Sequence, residues 1–382
     1  MNKRLLRCTR PAEFDHLMVV MNRIIHDART LNVARSLHNQ GERVGIIGYA
    51  NSEDQTELDK LDLPIYSLDW PRHRRMSSLW LHFLSHIGRA RSLFNATHYW
   101  AMDLYATPFV YGIRGTEQAN TIYDAREIYT ALGPNRNQPL KQQVISAIES
   151  FFIKRFDKVI TTGELDSKFL VQEYEIATPP VLMNLPPYQE VKPNNRLRKR
   201  FKIPSNHTVL VYQGMIYKGR GVDRIVSVLP HLRNVTLVAI GSGGGVEVAR
   251  NQADQLGVAN RFHILNPVPY DELLNWTASA DIGICFFEPL TLSLKYALPN
   301  KLFEYAMAGI PVLATALPQI KPLLEKVPAG DLVDPSISER ALSQALENMI
   351  CRVENNVYND PVKRMREQYH WEAQESTIIN II

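Results

Sequence analysis

The stretch YQGMIYKGRGVDRIV, residues 212–226, sets Gly214, Gly219 and Gly221 between a strand-like run and a helix-like one, with Lys218 and Arg220 inside the turn. Glycine lets a backbone approach a ligand closely, and two cations at a helix mouth suit a diphosphate. The same composition also serves an ordinary glycine-rich turn, and neither GxxxxGK[ST] nor a full GxGxxG is present. A second such turn, GSGGG at 241–245, follows the run VTLVAIG. Farther on, PNKLFEYAMAGIPVLAT opens with Pro299 and Asn300, continues through helix formers to Ala308, and is stopped by Gly309 and Pro311. Glu304 falls one turn inside that helix. A carboxylate there repels phosphate but accepts well from hydroxyls. A ribose or sugar beside a diphosphate reconciles the two; a solvated helical glutamate is the competing interpretation.

Other chemistries leave no trace in the sequence. There is no HExxH, no CxxC and no Asp-x-Asp, so a bound diphosphate would have its charge met by cations and helix dipoles, with no metal and no cofactor expected. A GxSxG elbow is absent too, and nothing nominates a Ser-His-Asp triad.

These turns need strands and helices to hold them. The run HLMVVMN (16–22), the helical pattern DARTLNVARSLHNQG closed by Gly41, and the run RVGIIGY make one β-α-β unit. PIYSL, THYWAM, NTIYD and KVITTG continue the strands, with helices near 140–156 and 164–174. A proline-rich polar stretch, PPYQEVKPNN, marks a joint near residue 190, and the basic run RLRKRFK after it suits a solvated helical face. A second series follows: TVLVYQG, a helix at 221–232, VTLVAIG, a helix at 246–257, RFHIL, a helix at 270–278, DIGICFF, and finally VLAT. The alternation predicts an α/β fold of two similar halves, each with a parallel sheet covered on both faces.

A length of 382 residues allows two or three domains. The formal charge of +4 is far too small to imply nucleic-acid binding. Cys8, Cys285 and Cys351 are widely spaced and suit reduced thiols, Cys285 in the core. No apolar run reaches transmembrane length, and the basic N-terminus lacks the apolar stretch of a signal peptide, so a cytoplasmic protein is expected. RHRRMSSLWLHFLSHIGRAR (72–91) mixes arginines with Leu79, Trp80, Leu81, Phe83, Leu84 and Ile87. That composition suits either an amphipathic helix in peripheral contact with the inner face of a membrane or an ordinary helix facing a core.

Taken together, VYQGMIYKGRGVDRIV, VAIGSG, NPVPYDELLNWTASADIGICFF and PNKLFEYAMAGIPVLAT resemble the C-terminal half of the group 1, GT4-like glycosyltransferases, and HDARTLNVARSLHNQGERVGIIG, YDAREIY, DKVITTGELDSKFL and VLMNLP resemble its N-terminal half. The resemblance covers roughly residues 16–350. It implies a GT-B fold, two Rossmann-like domains with parallel sheets facing a central cleft: an acceptor-side domain over 1–190, a nucleotide-sugar domain over 191–360, and a C-terminal helix over 361–382 packing back toward the first. It implies a retaining transfer from a nucleotide-diphospho-sugar, UDP more often than GDP, to a saccharide or lipid-linked acceptor in surface polysaccharide or glycoconjugate synthesis. Glu304 would match the second glutamate of the family's E-x7-E motif, which holds the ribose. Arg220, helped by Lys218, would meet the diphosphate, with Gly214 in the turn before them. The N–H groups near Leu302 and Phe303, behind Asn300, would receive phosphate. Val268 to Tyr270 would cradle the base.

Three positions depart from the family's pattern. Tyr296 stands at the first E-x7-E glutamate, leaving Glu288 or Lys295 as substitutes; Met215 replaces an arginine; and Arg126, in DARE, stands where a histidine often touches the donor sugar. Arginine's planar fork suits an acidic donor or acceptor, or alternatively a structural pair with Asp124 or Glu127. Two other classes stay open: a nucleotide-sugar epimerase of the same fold, for which no carboxylate pair presents itself, and a non-catalytic glycosyltransferase-like subunit.

Overall fold

The computed structural model describes residues 2–5, 10–70, 76–114, 119–133 and 137–382. The chain divides into two units, one made of Met1–Met183 with Gln374–Ile382 and the other of Asn184–Ala373. Residues 184–190 and 361–373 therefore lie with the second unit, against the expected boundaries at 190 and 360. Hydrogen bonds account for the shift: the Trp371 N–H donates to Pro186 O at 2.8 Å, and Arg366 pairs with Glu190 at 3.0 Å.

In the first unit the strands β1 (Asn2–Arg4), β2 (Ala12–Arg23), β3 (Val44–Ala50), β4 (Ile65–Asp69), β5 (Phe94–Ala101), β6 (Asn120–Ala125) and β7 (Lys158–Thr161) form one parallel sheet in the order β1-β4-β3-β2-β5-β6-β7. The seven residues of β3 are all buried, as an apolar run covered on both faces should be. The helix Ala28–Asn39 begins where Asp27 accepts from the Thr30 N–H at 3.0 Å.

The apolar residues of the 72–91 segment settle into this unit's core. Helices Met76–Leu84 and Ile87–Leu93 bury Leu79 and Phe83 and pack Trp80, Leu84 and Ile87 against the same cluster. Burying a side chain of that size stabilises by about 1.5–3 kcal/mol, which turning the face to a membrane would forfeit. Leu81 is exposed. Of the two alternatives for this segment, the helix facing a core describes these apolar residues; Arg72, Arg74 and Arg75, like Cys8, lie outside the described residues. Among the described residues no helix is long and apolar enough to cross a membrane.

The second unit carries β8 (Thr208–Gln213), β9 (Val235–Ile240), β10 (Phe262–Leu265), β11 (Ile282–Cys285), β12 (Val312–Thr315) and β13 (Gly330–Val333), parallel in the order β10-β9-β8-β11-β12-β13. Chain order runs outward from β8 on one side and from β11 on the other. In open parallel sheets such a reversal leaves a crevice beyond the carboxyl ends of the two strands, where ligands bind.

Candidate functional site

The residues singled out in the second half of the sequence gather at this reversal. Beyond β8 the chain turns at Gly214 (φ +113°), a conformation that other residues adopt only under strain. The turns after β8 and β9 are locked together: the Ile216 N–H donates to Ser242 O at 2.8 Å, and the Gly245 N–H donates to Ile216 O at 2.9 Å. A Cβ on Gly241 would stand 1.9 Å from Gly214 O. The GSGGG turn is thus a buttress for the first turn, its lack of side chains taken up by close backbone contact.

Glu304 lies in the helix Asn300–Met307 and is only 6% exposed, so it is no solvated surface glutamate. Gln213 at the end of β8 donates through Nε2 to Glu304 Oε2, and the Tyr270 hydroxyl donates to Oε1 at 3.3 Å. Gln213 is itself fixed, its Oε1 accepting from the Thr277 hydroxyl at 2.7 Å. Burial raises the carboxyl's pKa, and the Gln213 and Tyr270 bonds oppose that rise. Tyr270 bridges inside and outside, the residue 46% exposed while its hydroxyl reaches Glu304.

Arg220 is half-buried, its guanidinium 5.1 Å from the centroid of the Phe287 ring, and Lys218 is exposed. The Glu288 N–H donates to Gly219 O at 2.9 Å, tying the loop after β11 to the β8 turn. Glu288, Val268 and Asn300 are half-buried. One expectation at the helix mouth needs correction. The Leu302 N–H donates to Pro299 O at 3.1 Å, so it is already engaged. Leu302 and Phe303 send their side chains into the core, Phe303 stacking near Tyr369 with centroids 5.8 Å apart. Tyr296 ends the short helix Leu292–Lys295, and its carbonyl accepts from Gln319.

Lys301 escaped the sequence reading, which counted it as a helix former. Its side chain is 7% exposed, and Nζ has no hydrogen-bond partner among the described residues. Nζ rests 3.7 Å from the Tyr212 ring centroid and 5.2 Å from that of Phe287. Burial pushes its pKa down to about 7, with nearby Arg220 adding to the fall and Cys285 and Glu304 resisting it. The ring face recovers only about 1–2 kcal/mol of a buried cation's lost hydration. A signal was available: a cation in a first helical turn opposes the helix dipole, and so needs a reason.

Arg126 belongs to the first unit and is spent on structure. It donates to both carboxylate oxygens of Asp27 at 2.7 and 2.8 Å, to Asp124 at 3.0 Å and to the Thr30 hydroxyl at 2.7 Å. Burial works against its charge, and Asp27 and Asp124 outweigh that effect to raise its pKa. Arg29 holds Asp124 from the other side with bonds of 2.7 and 2.9 Å. The donor-sugar contact expected of Arg126 gives way to the pairing alternative, with Asp27 as the partner that sequence reasoning did not name.

Residues 207–352 match the family model described as glycosyl transferases group 1, and residues 27–179 match the glycosyl transferase 4-like domain. A D-inositol 3-phosphate glycosyltransferase of Xylanimonas cellulosilytica is 28% identical over 143 residues, 36% of this chain and 33% of that protein. A GDP-mannose-dependent alpha-(1-6)-phosphatidylinositol monomannoside mannosyltransferase of Mycobacterium tuberculosis is 27% identical over 162 residues, 41% of this chain and 42% of that protein. The chain therefore aligns with less than half the length of either curated relative. Among solved structures, sucrose-phosphate synthase from Thermosynechococcus elongatus superposes with a TM-score of 0.75 at 13% identity, over 97% of this chain and 98% of that one. Anabaena HepE in complex with UDP and glucose does so with a TM-score of 0.72 at 15% identity, over 96% and 98%. At such identities the likeness is one of fold, the GT-B arrangement of two α/β units. With its two halves matched in chain order by both of that family's models, the chain belongs to the group 1, GT4-like glycosyltransferase family.

Proposed function

We propose that the protein transfers a sugar, with retention of configuration, from a nucleotide-diphospho-sugar to a saccharide or lipid-linked saccharide acceptor. The observation that carries this reading is Glu304: a buried carboxylate, oriented by Gln213 and Tyr270, at the crevice where the order of the second sheet reverses. In this reading the ribose hydroxyls donate to Glu304, competing for the oxygen that Tyr270 holds at 3.3 Å. The diphosphate lies across the β8 turn, and the base falls toward Val268 and Tyr270. Arg220 and Lys218 stabilise negative charge as the glycosidic bond breaks and the diphosphate departs, which is electrostatic catalysis in which no metal takes part. The acceptor hydroxyl attacks from the face the diphosphate leaves and gives its proton to the departing phosphate oxygen, so no side chain is assigned as base. UDP is the proposed nucleotide and GDP its competitor. The HepE structure holds UDP, and the mycobacterial relative is named for GDP-mannose.

A panel of UDP- and GDP-sugars, incubated with and without saccharide and lipid-linked acceptors, tests the proposal. Acceptor-dependent release of nucleotide is the expected outcome. A sugar-nucleotide altered without acceptor would mark an epimerase. Nucleotide bound but never released would mark a non-catalytic subunit, in keeping with Tyr296 at the family's first glutamate.

A further inference from the structure

Lys301 lies where a folded chain rarely leaves a lysine. Its Nζ is buried between two aromatic faces, and no acceptor or ion-pair partner reaches it among the described residues. A cation so placed is retained at a cost unless an anion arrives from elsewhere. One approach is open. Gly214 is exposed, and around the place its Cβ would take, the atoms within 4 Å are Lys301 Nζ at 3.9 Å and Cε at 4.0 Å. A side chain at Gly214 would lie over the lysine, and the glycine leaves that place free, at the carboxyl end of β8 and one helical turn from Glu304.

We propose, building on the donor-binding reading above, that Lys301 Nζ is a buried contact for the donor's diphosphate, reached by phosphate oxygens lying over Gly214. Binding is then coupled to a proton. With its pKa pushed down to about 7, Lys301 is mostly a neutral amine at pH 8, and a phosphate oxygen beside it restores the ammonium. The groups facing it do not mimic this. Cys285 is pushed up to about 12 by burial and stays a neutral thiol, and Arg220 acts on Lys301 by lowering its pKa. Glu304, raised by burial, would release a proton if hydroxyls donated to its carboxylate, which is the opposite sign.

Calorimetry at pH 8, in two buffers of different ionisation enthalpy, tests this with UDP, GDP, uridine and guanosine on wild-type protein and on Lys301→Met. The ligand's own phosphate ionisation, near pKa 6, is complete at that pH. Wild type should take up most of one proton more per nucleoside diphosphate than per nucleoside, the ribose being common to both. Lys301→Met should abolish the uptake and weaken the diphosphate about thirtyfold, as for a lost charged hydrogen bond, while nucleoside affinity stays within about twofold. Methionine suits the apolar slot, so the variant should melt no lower than wild type; should it fail to fold, proton uptake by wild type decides alone. Tight diphosphate binding by wild type with the same proton count as the nucleoside, or an unchanged diphosphate-to-nucleoside ratio in the variant, would overturn the role of Lys301 and leave the donor reading intact. Wild type that binds neither UDP nor GDP would overturn both.

Discussion

Glu304→Ala tests the centre of the site. Within the folded protein its consequences oppose one another. Gln213 Nε2 becomes a buried donor without an acceptor, at about 1–3 kcal/mol, while a carboxylate whose ionisation burial disfavours is removed. Thr277 still orients Gln213, so net stability should move by less than about 2 kcal/mol. Ligand binding has no such offset. Losing a charged acceptor of ribose hydroxyls should cost about 1.5–3 kcal/mol, or roughly 10–150-fold in affinity. Calorimetry with UDP and GDP reads the loss, and their 2′,3′-dideoxy analogues supply the control. If Glu304 takes the ribose hydroxyls, the dideoxy ligands bind wild type weakly and are indifferent to the substitution. Equal losses for hydroxylated and dideoxy ligands, or no loss for either, would refute the ribose assignment.

Arg126→His should destabilise the first unit by about 3–5 kcal/mol, since it leaves the buried Asp27 without its cation, and urea unfolding would show it. Activity should then fall equally on neutral and acidic sugars; a loss confined to acidic ligands with an unchanged unfolding midpoint would return Arg126 to ligand recognition. Glu149, held by the hydroxyls of Tyr123 and Tyr174 at 2.7 and 2.8 Å, is pushed by burial from 4.5 to about 7. The folded state binds that proton more tightly than the unfolded one, so stability should decline by about 3 kcal/mol as pH rises through that interval. Glu149→Gln should remove roughly half of the slope, leaving a comparable part due to Asp103, which burial pushes from 3.8 up to about 6; an unchanged slope would contradict the assignment. Transferase activity should survive EDTA, and a complete loss restored by manganese would show that the diphosphate charge is met differently from the way proposed.

Most strands legible in the sequence are paired on both sides, where apolar residues run without interruption, and the edge strands β7 and β10 were legible too. β13 was not among them: GDLV pairs only with β12, three of its four residues are half-buried, and it carries an aspartate. β1 is likewise an edge strand, of three residues. DIGICFF reads as one strand, yet the ladder ends at Cys285 because Phe287 turns its N–H to the Thr315 hydroxyl while both phenylalanines stay buried. At the site, the helix bearing Glu304 could be drawn from its opening and closing residues. That Glu304 would be buried could not, because Gln213 lies 91 residues away. A separation of 99 residues likewise hid the pairing of Asp27 with Arg126. Local pattern reports which residues share an element; the partners that decide between a ligand contact and a structural tie come from chain segments that only the fold brings near.

The composition of the first unit has a consequence for synthesis. Its last piece is the helix Glu375–Ile381, which buries Ile378 and Ile381, meets Ser36 through Glu375 at 2.6 Å, and offers the Ile381 carbonyl to Lys158. Gln374 clasps Met183 in both directions, at 2.7 and 3.0 Å. A ribosome makes all of the second unit before it makes this helix, so the half that emerges first is the last to be completed. During that interval the apolar surface meant for Ile378 and Ile381 is bare. A chain released after Ala373 should carry a finished second unit and an unfinished first one, which makes this surface the place for a chaperone to hold.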